Sequence, residues 1–135
     1  MKVLIVEDEA LVAMSLEFLL KLEGHETIAI AQDYDSALTA VDRAMPDVAL
    51  VDIQLARGTS GFDVAAELTR RGIATIFTTG NAPGEPRPDI AVGCLPKPYS
   101  DDCVFEALRL VEALIAGRGG ELTSTSGFQL YRSAA

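Results

Sequence analysis

Val48-Ala49-Leu50-Val51-Asp52 is an unbroken apolar run that stops on a carboxylate. Such a run reads as a strand buried on both faces, as in a parallel sheet. Its last residue then stands at the carboxyl edge, where open α/β sheets bind their ligands. Two further stretches lead to the same edge: Leu4-Ile5-Val6 runs into Glu7-Asp8, and Ile76-Phe77-Thr78-Thr79 runs into Gly80. Together the three strand ends would gather one acidic site centred on Asp52.

Working outward, the first strand spans about Lys2 to Val6. A helix from about Glu9 to Leu22 carries Leu11, Met14, Phe18 and Leu22 at helical spacing, and Gly24 ends it. His25 to Ala31 is a less apolar second strand, a candidate edge. Asp33 caps a helix with Ala37, Leu38 and Val41 on its face, closed by Pro46. After the third strand, the loop Ile53 to Ser60 leads to a helix capped by Ser60, bearing Val64, Ala65 and Leu68, and closed by Gly72. Ala74 to Thr79 and Ala91 to Leu95 are the fourth and fifth strands. Ser100 caps the final helix, with Val104, Leu108, Val111 and Ile115 expected inside and Gly117 at its end. Asp101 and Asp102 suit that helix's positive end.

Strands alternating with helices imply a parallel sheet with helices on both faces. One connection breaks the rhythm. Gly80 to Asp89 holds three prolines and two glycines where a helix is due. An interior proline costs a helix ~3 kcal/mol, so a loop or single turn, and a mobile one, is expected. Residues 1–117 then form one domain. The tail, 118–135, is rich in Gly, Ser and Thr and is expected to be flexible, with Phe128, Leu130 and Tyr131 as a small apolar patch.

At 135 residues the chain can bury a core without staples, and its net charge of -9 offers no basic excess for nucleic acid. Arg70 and Arg71 read as the solvated end of a helix. No signal peptide precedes the first strand and no apolar run is long enough to span a membrane, so a cytoplasmic setting without membrane insertion is expected. Cys94 and Cys103 fit no metal spacing and read as buried free thiols. A lone His25 at a turn reads as surface filler.

The chemistry concentrates at the strand ends. Glu7, Asp8 and Asp52 would repel one another if the first and third strands are neighbours. A hard cation with oxygen ligands, Mg²⁺, relieves that repulsion. Asp52 is a competent nucleophile for phosphorus, and the transferring oxygens need cationic and hydrogen-bonding support. Lys97 at the end of the fifth strand supplies the cation, and Thr79 at the end of the fourth supplies a hydroxyl. Gly80 leaves the phosphoryl group accessible. Lys97 precedes Pro98, where a cis peptide is cheap and would aim the ammonium inward.

Jointly these motifs resemble the receiver domain of two-component response regulators. The likeness covers Lys2 to Gly117 and rests on Leu4-Ile5-Val6-Glu7-Asp8-Glu9, Val51-Asp52-Ile53-Gln54-Leu55, Phe77-Thr78-Thr79-Gly80 and Leu95-Pro96-Lys97-Pro98-Tyr99. It implies a doubly wound, flavodoxin-like (CheY-like) fold of five parallel strands in the order 2-1-3-4-5, with the fourth helix degenerate. It also implies phosphorylation of Asp52 by a partner histidine kinase, with Asp8, Asp52 and the Gln54 backbone carbonyl ligating Mg²⁺ and Glu7 acting mainly through water. By the same likeness Lys97 contacts the phosphoryl oxygens and Thr79 is the switch hydroxyl.

Three departures from the family pattern stand out. Cys94 occupies a position that is usually aromatic, Ala56 stands where Pro is usual, and the loop before Gly61 is one residue longer. With Phe77-Thr78-Thr79-Gly80, these resemble the FAT GUY receiver subfamily, named for its F-A-T-G motif, with Thr78 replacing the Ala. That subfamily is mostly alphaproteobacterial and is associated with HWE-type kinases and general stress signalling. The departures suggest that phosphorylation orders Asn81 to Asp89 instead of rotating an aromatic ring.

Nothing after Gly117 reads as a DNA-binding or catalytic output domain, so output is expected through a downstream protein or onward phosphotransfer. A dimer that depends on phosphorylation is left open. A Mg²⁺-dependent phosphohydrolase is the enzyme alternative, but Gln54 stands where such enzymes place an acid. A phosphorylation-independent scaffold would not need Glu7, Asp8, Asp52, Thr79 and Lys97 together.

Overall fold

The computed structural model describes residues 1–55, 58–80, 84–118 and 127–131. In chain order the elements are β1 (Lys2–Val6), α1 (Ala10–Leu22), β2 (Glu26–Ala31), α2 (Tyr34–Arg43), β3 (Val48–Asp52), α3 (Gly61–Arg70), β4 (Ala74–Thr79), β5 (Gly93–Pro96), α4 (Asp101–Ile115) and β6 (Gln129–Leu130). The sheet runs β2-β1-β3-β4-β5-β6. Its first five strands are parallel, in the expected order, and β2 lies at one edge. The sixth strand was not foreseen: β6 pairs antiparallel with β5, Gly93 opposite Leu130 and Cys94 opposite Gln129. The fifth strand starts two residues later than expected, at Gly93.

Why the central strands are continuously apolar is visible in the two cores they serve. Val3, Ile5, Val48, Leu50, Ile76 and Leu95 face α1 and α4. Leu4, Val6, Ala49, Val51, Phe77 and Cys94 face α2 and α3. Every residue of β3 is buried, so neither face tolerates a polar position until Asp52 at its end.

The helices start where their caps dictate. Asp33 and Ser36 form a reciprocal capping box on α2, Ser60 accepts from the Phe62 amide on α3, and Ser100 accepts from the Cys103 amide on α4. Gly72 takes a φ of 82° after α3, a left-handed conformation that glycine reaches without strain.

Two helical faces differ from expectation. The α1 stripe picked out by periodicity, Leu11, Met14, Phe18 and Leu22, is exposed, with Leu11 82% accessible. The inner face is Ala13, Leu16, Leu19 and Leu20. α1 is apolar nearly all round, so two stripes satisfy the same period and spacing alone cannot choose between them. Ile115, expected inside, is also exposed, as is Leu114 beside it in the last turn of α4.

Between β4 and β5 the described residues form no helix. A single turn has the Ile90 and Ala91 amides donating to the Arg87 carbonyl. Arg87 lies 5.5 Å over the Phe62 ring, and the Thr69 hydroxyl donates to the Ile90 carbonyl at 3.0 Å, so α3 anchors this segment. Asn81, Ala82 and Pro83 lie outside the described residues, as do Ala56 and residues 119–126 and 132–135 of the tail. Cys94 and Cys103 are buried and form no disulfide. His25 is more than filler: its Nδ1 lies 2.9 Å from the N-terminal ammonium, and burial lowers its pKa. Arg70 is solvated as expected, but Arg71 ties α3 to α2 through Asp42 at 3.0 Å.

Candidate functional site

The parallel register delivers the acids to one place. Val6 pairs with Val51 across β1 and β3, so Glu7 and Asp8 leave the sheet beside Asp52. Carboxylate oxygens of Glu7, Asp8 and Asp52 lie within 4.8 Å of one another. Glu7 and Asp52 are buried while Asp8 faces partly outward. On the other side of β3, Asp52 pairs with Thr78, and Thr79 with Pro96. The Lys97 amide donates to the Thr79 carbonyl at 2.7 Å, fixing the chain as it leaves β5.

Lys97 then closes the site. Its Nζ donates to Glu7 Oε1 at 2.9 Å and to Asp52 Oδ2 at 3.1 Å. The other Asp52 oxygen, Oδ1, accepts from the Gln54 amide at 2.9 Å, and Glu7 Oε2 accepts from the Glu9 amide at 3.2 Å. Both buried carboxylates are thus held by fixed donors. The Lys97–Pro98 peptide is cis.

The electrostatics are those of an over-filled acidic pocket. Burial pushes the Glu7 carboxyl up to about 7; the Lys97 hydrogen bond pulls it down, and the charge of Asp52 adds to the rise. Burial opposes the charged form of Lys97, but its bonds to Glu7 and Asp52 outweigh this and raise its pKa. Among the described residues one ammonium faces three carboxylates. An all-oxygen donor set with surplus negative charge fits a hard divalent cation, which would lower the Glu7 pKa instead of raising it.

All of the expected positions Glu7, Asp8, Asp52 and Lys97 come together here, with Thr79 buried at the neighbouring strand end. Among the described residues an added Cβ on Gly80 would meet nothing within 4 Å, which leaves room at the rim beside Thr79. Two contributors escaped sequence reading. The Gln54 amide acts through backbone, which composition cannot reveal. Gly61 passes so close under Asp52 that a Cβ there would lie 2.1 Å from the Asp52 carbonyl oxygen. Its place one residue after the Ser60 cap was the available signal.

The sequence matches the response regulator receiver domain family over residues 3–109. The chain belongs to that family. Its relatives are response regulators of two-component signalling. It is 31% identical over 131 residues to the transcriptional regulatory protein PdtaR of Mycobacterium tuberculosis, covering 93% of this chain and 62% of PdtaR. It is 40% identical over 80 residues to the phyllosphere-induced regulator PhyR of Methylorubrum extorquens, covering 58% of this chain and 30% of PhyR. The chain therefore spans less than two thirds of either relative. Among solved structures, the signal receiver domain of a modulated diguanylate cyclase from Desulfovibrio desulfuricans superposes with a TM-score of 0.76 at 28% identity, over 85% of this chain and 95% of that one. PhyR from Brucella abortus gives 0.67 at 34% identity, over 83% and 51%. The receiver likeness accounts for the parallel five-strand order; β6 is an addition to it.

Proposed function

We propose that this receiver takes a phosphoryl group on Asp52 from a phosphohistidine of a sensor histidine kinase, in a Mg²⁺-dependent reaction, and signals by binding another protein or passing the group on. The observation that carries this reading is Lys97 Nζ, held at 2.9 and 3.1 Å from Glu7 and Asp52 at the open end of the sheet.

In the transfer an N–P bond to histidine breaks and an O–P bond to Asp52 forms. The Gln54 amide and Lys97 fix the Asp52 carboxylate before reaction, which removes a reorganisation cost. Lys97 then follows the charge onto the phosphoryl oxygens, and Thr79 offers its hydroxyl from β4. Asp8, Asp52 and the Gln54 carbonyl would hold Mg²⁺, with Glu7 acting through water. Bound there, the ion would neutralise charge on the transferring group. The same pocket would lose its phosphoryl group to water, with Gln54 beside Asp52 to tune the rate. Gln54 has no acidic proton to give a leaving group, which disfavours a turnover phosphohydrolase.

The exposed face of α1 supports a helical kinase as donor. Leu11 shares a cavity of about 360 Å³ with Lys97, Pro98 and Tyr99, beside the pocket, and Met14 and Phe18 continue the apolar stripe along the helix. An amphipathic helix laid there would bring a phosphohistidine toward Asp52. For output, PhyR of Bartonella quintana is described as an anti-anti-sigma factor, and it is 31% identical to this chain. That likeness supports output by protein binding; the FAT GUY placement and a cytoplasmic setting belong to the proposal itself.

Incubation with Mg²⁺ and a small acyl phosphate tests the core of the reading. An acid-stable, base-labile mass gain is expected, lost in Asp52→Ala. Failure to label both there and with a kinase would favour a scaffold; rapid turnover of unrelated phosphoesters would favour a hydrolase.

A further inference from the structure

The two outer strands of the sheet are finished differently. Among the described residues nothing pairs with the outer edge of β2, whereas β5 carries β6. Besides its two ladder pairs, β6 is held by the Tyr131 amide, which donates to the Val92 carbonyl at 2.8 Å. Its side chains alternate between both cores. Phe128 and Leu130 pack on the α1 and α4 side, Tyr131 on the α2 and α3 side. The fit is specific. A Cβ on Gly93 would lie 2.4 Å from the Gln129 carbonyl and 2.5 Å from the Phe128 ring, so only glycine leaves room for this strand. Tyr131 and Cys94 share one buried cluster. Backbone pairing with shaped pockets for alternate side chains is how a sheet edge recognises an extended segment.

We propose that the outer edge of β5 is a strand-addition site, and that its partner is a second copy of this chain, which donates its own Phe128–Tyr131 strand. Between Arg118 and Gly127 lie eight residues, six of them Gly, Ser or Thr, a connector composition. Extended at ~3.3 Å per residue, that stretch reaches roughly 30 Å, the width of a small domain. Reciprocal exchange reproduces every contact of the closed chain, which makes an identical element the cheapest donor. A foreign segment would need an aromatic against Gly93 and a second large side chain in the cluster of Cys94; the chain's own segment already has both. The tethered strand holds the edge at high effective concentration, so closed monomer and exchanged dimer share one contact set and protein concentration divides them. None of this depends on phosphoryl chemistry.

Two full-length variants separate donor from acceptor. Gly93→Ala keeps the strand and spoils its site; Phe128→Ala with Tyr131→Ala keeps the site and spoils the strand. Each alone is expected to show monomer mass by light scattering, and an equimolar mixture to show a doubled mass. In the mixture, exchange of the β5 amides of the double variant should slow severalfold. If circular dichroism shows the double variant unfolded, Phe128→Leu with Tyr131→Phe takes its place. A mixture that stays at monomer mass overturns the proposal, as does doubling by either variant alone.

Discussion

β5 joins two regions that hold together for opposite reasons. At its carboxyl end Lys97 enters a pocket of buried carboxylates, where each charge is costly unless a partner faces it. At its outer edge Gly93 and Cys94 receive an apolar strand, where burial itself is the gain. The pocket stores unfavourable electrostatics that ligands can relieve; the edge stores none. Chemistry and stability should therefore respond to different substitutions, although only three residues separate Gly93 from Lys97.

The largest expected effect is a double dissociation. Asp52→Ala should reduce phosphodonor labelling to background while changing stability by under about 1 kcal/mol, since it removes one of three crowded acids. Phe128→Ala should do the reverse, costing about 3 kcal/mol by denaturant titration with labelling intact. Loss of labelling in Phe128→Ala would show that the two regions are coupled.

Next comes pH. The Glu7 carboxyl sits higher in the folded chain, at about 7, than its ordinary 4.5. The folded state therefore binds this proton more tightly. Its contribution is fully present below about 4.5 and is lost as pH rises through 7, on the order of 3 kcal/mol in all. Metal-free protein should lose melting temperature across that window, Glu7→Gln should flatten the profile, and Mg²⁺ should restore stability chiefly above it. A flat wild-type profile would mean that the pocket is not strained.

Gly61→Ala tests whether backbone crowding alone can reach the pocket. Its Cβ would drive α3 away from the Asp52 carbonyl, costing roughly 2 kcal/mol and slowing labelling. Smallest in stability is Phe18→Ser on the open face of α1. Thermal melting should move by under about 0.5 kcal/mol equivalent, while transfer from a kinase slows and labelling by a small donor does not. Equal slowing by both donors would remove α1 as the docking face.

Much of this was legible before any coordinates. Unbroken apolar runs at Val3–Val6 and Val48–Val51, too short for helices, read as strands covered on both sides, so the α/β layering followed, and the caps at Asp33, Ser60 and Ser100 followed from side-chain chemistry. The acids and Lys97 were legible because each ends a strand. The inner face of α1 was not, since Leu11 and Leu16 offer the same hydrophobicity and only the position of the sheet distinguishes them.

The sequence by itself determined the alternation of strands and helices, hence a parallel sheet, and the residue types at its carboxyl edge, because local apolar period and strand-end position are properties of neighbouring residues; the order of the strands came only with the receiver resemblance. Tertiary structure alone decided the Lys97 bridge across Glu7 and Asp52, 90 and 45 residues away, and the elevated Glu7 carboxyl that comes with it. It alone decided that Phe128, Leu130 and Tyr131, in a stretch read as a loose tail, complete the sheet. A two-residue strand carries no period of its own; what selects it is the space that Gly93 leaves on a distant edge.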